Sequence, residues 1–209
     1  MTGAHASSSR IVACAVALAV LGGAGCGSSG NAVSVPTTGG SHLSGLILRP
    51  AKRAPGLALR NYTGRRVSIE AFRGKAVLVT FVYTHCPNVC PLIISGLAAA
   101  QRGLGKEAGL VRIVAVTVDP RRDTPSAVRA FLAARGATGR MYYLLGTRAQ
   151  LRPVWKAWDV GVSTGLHDYT NGHSDIVYGI TAGGRVAVVY PSDFTPTQII
   201  HDVPLLARS

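Results

Sequence analysis

The chain has 209 residues, 47% hydrophobic and 15% charged, which is enough apolar length for one domain with a real core and excludes an intrinsically disordered chain. Its formal charge of +13 comes from 22 Lys and Arg against 9 Asp and Glu, yet adjacent basic pairs occur only at Lys52–Arg53, Arg65–Arg66 and Arg121–Arg122. No basic run follows a phosphate backbone, so nucleic acid is not expected as a partner; an anionic membrane surface or an acidic protein fits better, beside a plain compositional preference for Arg over Lys.

The N-terminus reads as an export signal. Arg10 precedes eleven apolar residues, Ile11 to Leu21, too few to stay in a bilayer as a spanning helix. "GGAGC", Gly22 to Cys26, resembles the end of a bacterial lipoprotein signal, in which the cysteine is lipidated and becomes the mature N-terminus. It departs from that pattern in having Gly23 where a leucine is usual, so a conventionally cleaved or uncleaved signal is the alternative. Cys14 lies within the apolar run and leaves with it. The domain plan is a signal over residues 1–26, a Gly/Ser/Thr-rich flexible linker over 27–54, in which His42 has no expected role, and a folded domain over 55–209. The expected location is exported, on the outer face of the cytoplasmic membrane and held by the lipid on Cys26.

Within the domain, "LALRNYTGRRVSIEAF" reads as a small hairpin. "AVLVTFVY", Ala76 to Tyr83, is a near-continuous run of β-branched and aromatic residues and predicts a buried central strand. A cysteine loop follows, then a helix over "LIISGLAAAQRGL" and a second buried strand over "VRIVAVTV". Thr124 as N-cap and Pro125 at the first helical position open a second helix. "MYYLLG" is a third strand, and "TRAQLRPVWKAW" opens on a Thr-x-x-Gln capping box with Pro153 further in. "DIVYGI" and "RVAVVY" form a hairpin through Thr181 to Gly184, and "TPTQIIHDVPLL" closes the domain as a helix. Strands alternating with helices predict an α/β fold: a central mixed sheet, parallel in the middle, flanked by helices and preceded by a β-hairpin.

Cys86 and Cys90 are the only cysteines beyond residue 26. A disulfide between them would close a loop too short to restrain much of the unfolded chain, so a chemical role is expected over a structural staple. A helix N-terminus favours thiolate through its dipole and free N–H groups. Pro87 and Pro91 pin both cysteines to that mouth, and residues four apart share a helical face.

"VTFVYTHCPNVCP" resembles the signature of the Sco/SenC family, thioredoxin-like copper proteins that help assemble the copper site of cytochrome oxidase. "VTVDPRRDTP", Val116 to Pro125, and "GHSDIVYGITAGGRV", Gly172 to Val186, resemble two further elements of that family, so the likeness runs from about Pro55 to the C-terminus. It implies a thioredoxin-like fold, one copper ion per chain held by Cys86, Cys90 and His173, and a nearby acidic residue at Asp119. It also implies a copper-containing oxidase subunit as partner; the domain is expected to be monomeric. Two thiolates and an imidazole are a soft donor set that suits copper, Cu(I) above all. Zinc would want a fourth ligand, for which His167 and Asp168 are available.

Other roles are weighed beside these. His85 is expected to tune the thiols and not to ligate. Asp119 either orients a cap or Arg122, or hydrogen-bonds around the site. Asp123 with Thr124 reads as local capping, and Trp155 and Trp158 as packing. Three functions compete: a copper metallochaperone; a thiol-disulfide reductase in which Cys86 and Cys90 are the redox pair; and a thiol peroxidase, disfavoured because Val79 and Tyr83 stand where that chemistry uses Pro and Thr.

Overall fold

The computed structural model describes residues 42–161 and 175–209. Every residue of β4 (Ala76–Val82) is buried, as its unbroken apolar run requires of a strand covered on both faces. Full burial of a side chain such as Leu78, Val79 or Phe81 contributes about 1.5–3 kcal/mol, so this strand anchors the core. Its neighbour β5 (Val111–Thr117) runs parallel to it, and β6 (Tyr142–Leu145) runs parallel to β5. β7 (Ile176–Ile180) lies antiparallel on the other side of β4, followed by β8 (Arg185–Pro191). The hairpin β2 (Ala58–Asn61) and β3 (Arg66–Ser68) extends the sheet beyond β6 and β1 (Leu46–Arg53) closes its other edge, giving the order β1-β8-β7-β4-β5-β6-β2-β3. The expected parallel centre is thus flanked by antiparallel strands on both sides.

One expectation fails. Residues expected to belong to a linker ending at residue 54 instead include β1 (Leu46–Arg53), which pairs antiparallel with β8 from Leu46↔Val189 to Arg53↔Arg185. The segment LILRPAKR is mostly exposed and interrupted by Pro50, so it carries no local strand pattern; partner hydrogen bonds from β8 make it a strand, at an edge, where proline is tolerated. The ordered domain therefore starts well before Pro55.

Helices α1 (Val89–Gly103), α2 (Pro125–Ala133), α3 (Arg148–Ala157) and α4 (Pro196–Ala207) fill the connections. Thr124 caps α2, and both Thr-x-x-Gln capping boxes form, at Thr147/Gln150 and Thr195/Gln198. α3 continues through Pro153. α1 packs against α4. Gly179 faces α4, since a Cβ there would lie 3.2 Å from Leu206, whereas its neighbour Tyr178 meets Trp158, just past α3. Successive strand residues face opposite ways, so α4 and the end of α3 cover opposite faces of the sheet. Among the described residues the core runs from Leu57 to Leu206, within the compact unit Gly39–Ser209.

Candidate metal centre

β4 leads straight into the cysteine loop, and α1 begins at Val89. Its N-cap, Asn88, makes no side-chain capping bond, so the first-turn N–H groups need another acceptor. That acceptor is the Cys86 sulfur. Cys90 N–H donates to Cys86 Sγ at 3.3 Å, and the backbone N–H groups of Asn88 and Val89 also point to it. Pro87 and Pro91 bring no N–H of their own to this turn. The loop is held from behind by Cys86 N–H donating to Tyr83 O at 3.3 Å.

Both thiols are free and buried, Cys90 completely. The Cys90 thiol hydrogen-bonds to Cys86 and, with the helix N–H groups, outweighs burial to pull the Cys86 thiol down to about 5. The same bond and burial push Cys90 well above the ordinary thiol range. Burial, then the charge of Cys86, pushes Tyr83 up to about 12. At neutral pH the pair is therefore one thiolate and one thiol, with Tyr83 as a neutral donor beside it.

The β5–α2 turn supplies two buried carboxylates with different jobs. Asp119 pairs with Arg122, and its own N–H donates to Thr117 Oγ1 at 3.0 Å, so the Arg122 alternative for Asp119 is realised. Asp123 is no local cap. It accepts from Thr84 N–H at 2.9 Å, Thr84 Oγ1 at 2.7 Å, Thr117 Oγ1 at 2.6 Å and Tyr143 Oη at 2.7 Å. One carboxylate thus ties the cysteine loop to β5 and β6. Sequence reading missed this because only the neighbouring Thr124 carries a local capping signal; the isolated polar Thr117 inside an apolar strand is the one hint that a buried acceptor exists.

His85 is exposed, and its Nδ1 lies 2.9 Å from Thr84 Oγ1. Trp155 and Trp158 are buried, the former donating to Thr117 O at 3.0 Å and the latter packed on Phe81 and Tyr178. Cys26, Cys14, His167, Asp168 and His173 lie outside the described residues. Among the described residues no group of three or more His, Cys, Asp or Glu is placed to hold a metal, so what they contain is a two-sulfur site. The chain re-enters the sheet at the same end: Thr80 Oγ1 donates to Ile176 O at 2.9 Å, and Asp175 lies near enough to raise the Cys90 thiol further.

A strand ending in a two-cysteine helix mouth, with an antiparallel partner strand starting alongside, defines a thioredoxin-like domain with two free thiols at that mouth. The SCO1/SenC family model matches residues 51–208, and the chain belongs to that family. It is 32% identical over 152 residues to the mitochondrial SCO2 homologue of Bos taurus, across 70% of this chain and 56% of that protein. The chain therefore spans about half the length of the curated relatives it matches. Among solved structures it resembles Bradyrhizobium japonicum ScoI with copper bound at 29% identity and TM-score 0.64, over 74% of this chain and 99% of that one. It also resembles BsSco, a member of the Sco family of cytochrome c oxidase assembly proteins with an identified disulfide switch, at 25% identity and TM-score 0.64, over 78% and 98%. No helix among the described residues is long and apolar enough to cross a membrane.

Proposed function

We propose that this domain is an extracytoplasmic copper metallochaperone. It takes up one copper ion through Cys86, Cys90 and His173 and passes it to a copper-containing subunit of cytochrome oxidase. The observation that carries the reading is the Cys86 sulfur seated on the N–H groups of α1, with the Cys90 thiol against it, in a chain similar to a copper-bound ScoI. Two convergent sulfurs, one already anionic, are the donors a soft ion needs. Support for His173 is its place two residues before Asp175, where the chain rejoins the cysteine end of the sheet. Lipidation at Cys26 places the domain on the outer membrane face, following the sequence between Gly22 and Cys26.

The test is copper titration of the reduced chain followed by absorption and paramagnetic resonance. A sulfur-to-copper charge-transfer band saturating at one equivalent is expected. Cys86→Ser and Cys90→Ser each abolish it, and His173→Ala abolishes stable Cu(II) binding. Stoichiometric Cu(II) with an unchanged spectrum in His173→Ala overturns the ligand assignment.

A second reading is favoured by the asymmetry of the pair. The Cys86 thiolate is a ready nucleophile, and the protonated Cys90 a resolving thiol. Cys86 would attack a disulfide of the target, forming a mixed disulfide and releasing one target thiolate. Cys90, losing its proton, would then attack Cys86, closing the Cys86–Cys90 disulfide and releasing the second target thiolate. Two electrons pass from the pair to the target. His173→Ala leaves this exchange intact, which separates it from copper carriage.

A further inference from the structure

Charge is spread unevenly along the sheet. At the cysteine end the buried Asp119 and Asp123, with Asp175 and Asp193, stand among Arg121, Arg122, Arg60 and Arg148, Arg122 being paired to Asp119. The opposite end is set by the starts of β4 and β5, where Ala76 pairs with Val111, and by the end of α1, which crosses between them. That end carries Arg65, Lys75, Arg102, Lys106, Arg112 and Arg140 against two carboxylates, Glu107 and Glu70, the latter sharing a shallow cleft with Lys75.

Four of these cations share anchors in pairs. Arg102 and Arg140 both donate to Gly136 O, at 3.1 and 3.2 Å. Lys75 and Arg112 both donate to Gly109 O, at 2.7 and 3.3 Å. Arg140 also reaches Gln101 Oε1 at 2.8 Å. Arg65, Arg112 and Arg140 line a cavity of about 310 Å³. Among the described residues the only Arg- or Lys-to-carboxylate ion pair is Arg122–Asp119, so none of the six has its charge compensated by a carboxylate contact. Backbone carbonyls hold Lys75, Arg102, Arg112 and Arg140 in place without neutralising them, and the positive field stays outward.

We propose that this end of the domain docks on an anionic phospholipid surface, with the headgroup phosphates meeting Arg65, Lys75, Arg102, Lys106, Arg112 and Arg140. The inference rests on the membrane placement given under the proposed function and adds an orientation to it. The cation face settles on the bilayer, and the mouth of α1, at the other end of the sheet, points away from the lipid, where a partner can reach it. A basic patch near an anionic surface adds about 1 kcal/mol of attraction per Lys or Arg, and here it fixes how the tethered domain is turned.

The test uses the compact unit Gly39–Ser209, which holds every core residue among the described residues, so that no lipid anchor contributes. Its cosedimentation is measured with vesicles of phosphatidylcholine alone and of phosphatidylcholine and phosphatidylglycerol in equal parts. Binding is expected only to the anionic vesicles and is lost at high salt. The triple variant Arg65→Gln, Arg102→Gln, Lys106→Gln loses roughly a hundredfold in partitioning, three exposed charges at about 1 kcal/mol apiece. A control triple variant, Arg129→Gln, Arg152→Gln, Lys156→Gln, removes the same charge from exposed positions on α2 and α3 and keeps most of the binding. Equal loss in both variants, binding to neutral vesicles, or equally tight binding to a DNA duplex at the same salt overturns the proposal. Copper titration of the same proteins separates the two readings. The charge variants keep the copper signal, whereas Cys86→Ser with Cys90→Ser loses it and still binds the vesicles.

Discussion

Two buried aspartates at different places in the fold are built almost alike. Asp123 takes the N–H and hydroxyl of Thr84, the Thr117 hydroxyl and the Tyr143 hydroxyl. Asp202, on α4, takes the N–H of Ser44 at 2.7 Å, its hydroxyl at 2.9 Å, and the Tyr190 hydroxyl at 2.7 Å; its Oδ1 also lies 2.7 Å from Nδ1 of the partly exposed His201. In each case a carboxylate from a helix or its approach captures both polar groups of a residue far away in sequence and is steadied by a tyrosine from a strand. The difference lies in what is captured. Asp123 holds the loop that bears the thiols; Asp202 holds the chain just before β1 at the outer edge of the sheet. One device therefore serves preorganisation of a reactive site in one place and closure of the fold in the other.

The largest contrast comes from removing each carboxylate. Asp123→Ala strands buried donors on three elements, and a loss of roughly 3–4 kcal/mol in urea unfolding is expected. Asp202→Ala is milder, about 2 kcal/mol, because Ser44 and His201 border solvent and can rehydrate. The decisive difference is at the thiols. Asp123→Ala frees Thr84 and slows alkylation of Cys86 at neutral pH, whereas Asp202→Ala leaves that rate unchanged. A slowed rate in Asp202→Ala would break the division of labour between the two sites.

The thiols sharpen the comparison through pH. The Cys86 thiol is held down at about 5, so its alkylation should follow a titration with that midpoint, while Cys90 stays unreactive through neutral pH. In Cys90→Ala the largest cause of the shift is gone, and the midpoint should rise toward the ordinary thiol value; the helix N–H groups keep part of the effect. The sign for stability follows. A depressed thiol stabilises the fold fully above its unfolded value, and that contribution fades as pH falls and is gone below about 5. An alkylation midpoint near the ordinary thiol value in the unmodified chain would remove the case for a resting thiolate.

What the sequence disclosed divides along the same line. Strands such as Ala76–Val82, and helices announced by Thr124–Pro125 or by the two capping boxes, were legible because their signals are local and repeat with the period of the element. The thiol pair at the mouth of α1 was legible for the same reason: Cys86, Pro87, Cys90 and Pro91 all fall between residues 86 and 91, across the start of α1. β1 was not, since its order comes from β8 and not from LILRPAKR itself. Asp123 and Asp202 were not, since each collects donors from segments tens of residues away; Asp202 and Ser44 are 158 positions apart. Carboxylates that act at a distance leave no periodic trace, and only an isolated polar residue inside an apolar strand, such as Thr117, hints at them.

The smallest and cleanest test of the shared device is the pair of tyrosines. Tyr143→Phe and Tyr190→Phe each delete one hydroxyl from a fully buried ring while keeping the ring itself. The Phe131 contact at 6.4 Å and the Phe194 contact at 6.4 Å are preserved, so packing is nearly constant. Each variant should lose about 1–2 kcal/mol, the worth of a hydrogen bond to a charged acceptor, measured as a lowered urea midpoint at unchanged slope. Tyr143 also donates weakly to Val82 O at 3.4 Å, next to the cysteine loop, whereas among the described residues the Tyr190 hydroxyl donates to Asp202. A small shift in Cys86 reactivity is therefore expected for Tyr143→Phe and none for Tyr190→Phe. If the two variants proved equal in reactivity as well as in stability, Asp123 would be a structural clamp like Asp202, and the thiols would owe their state to the mouth of α1 alone.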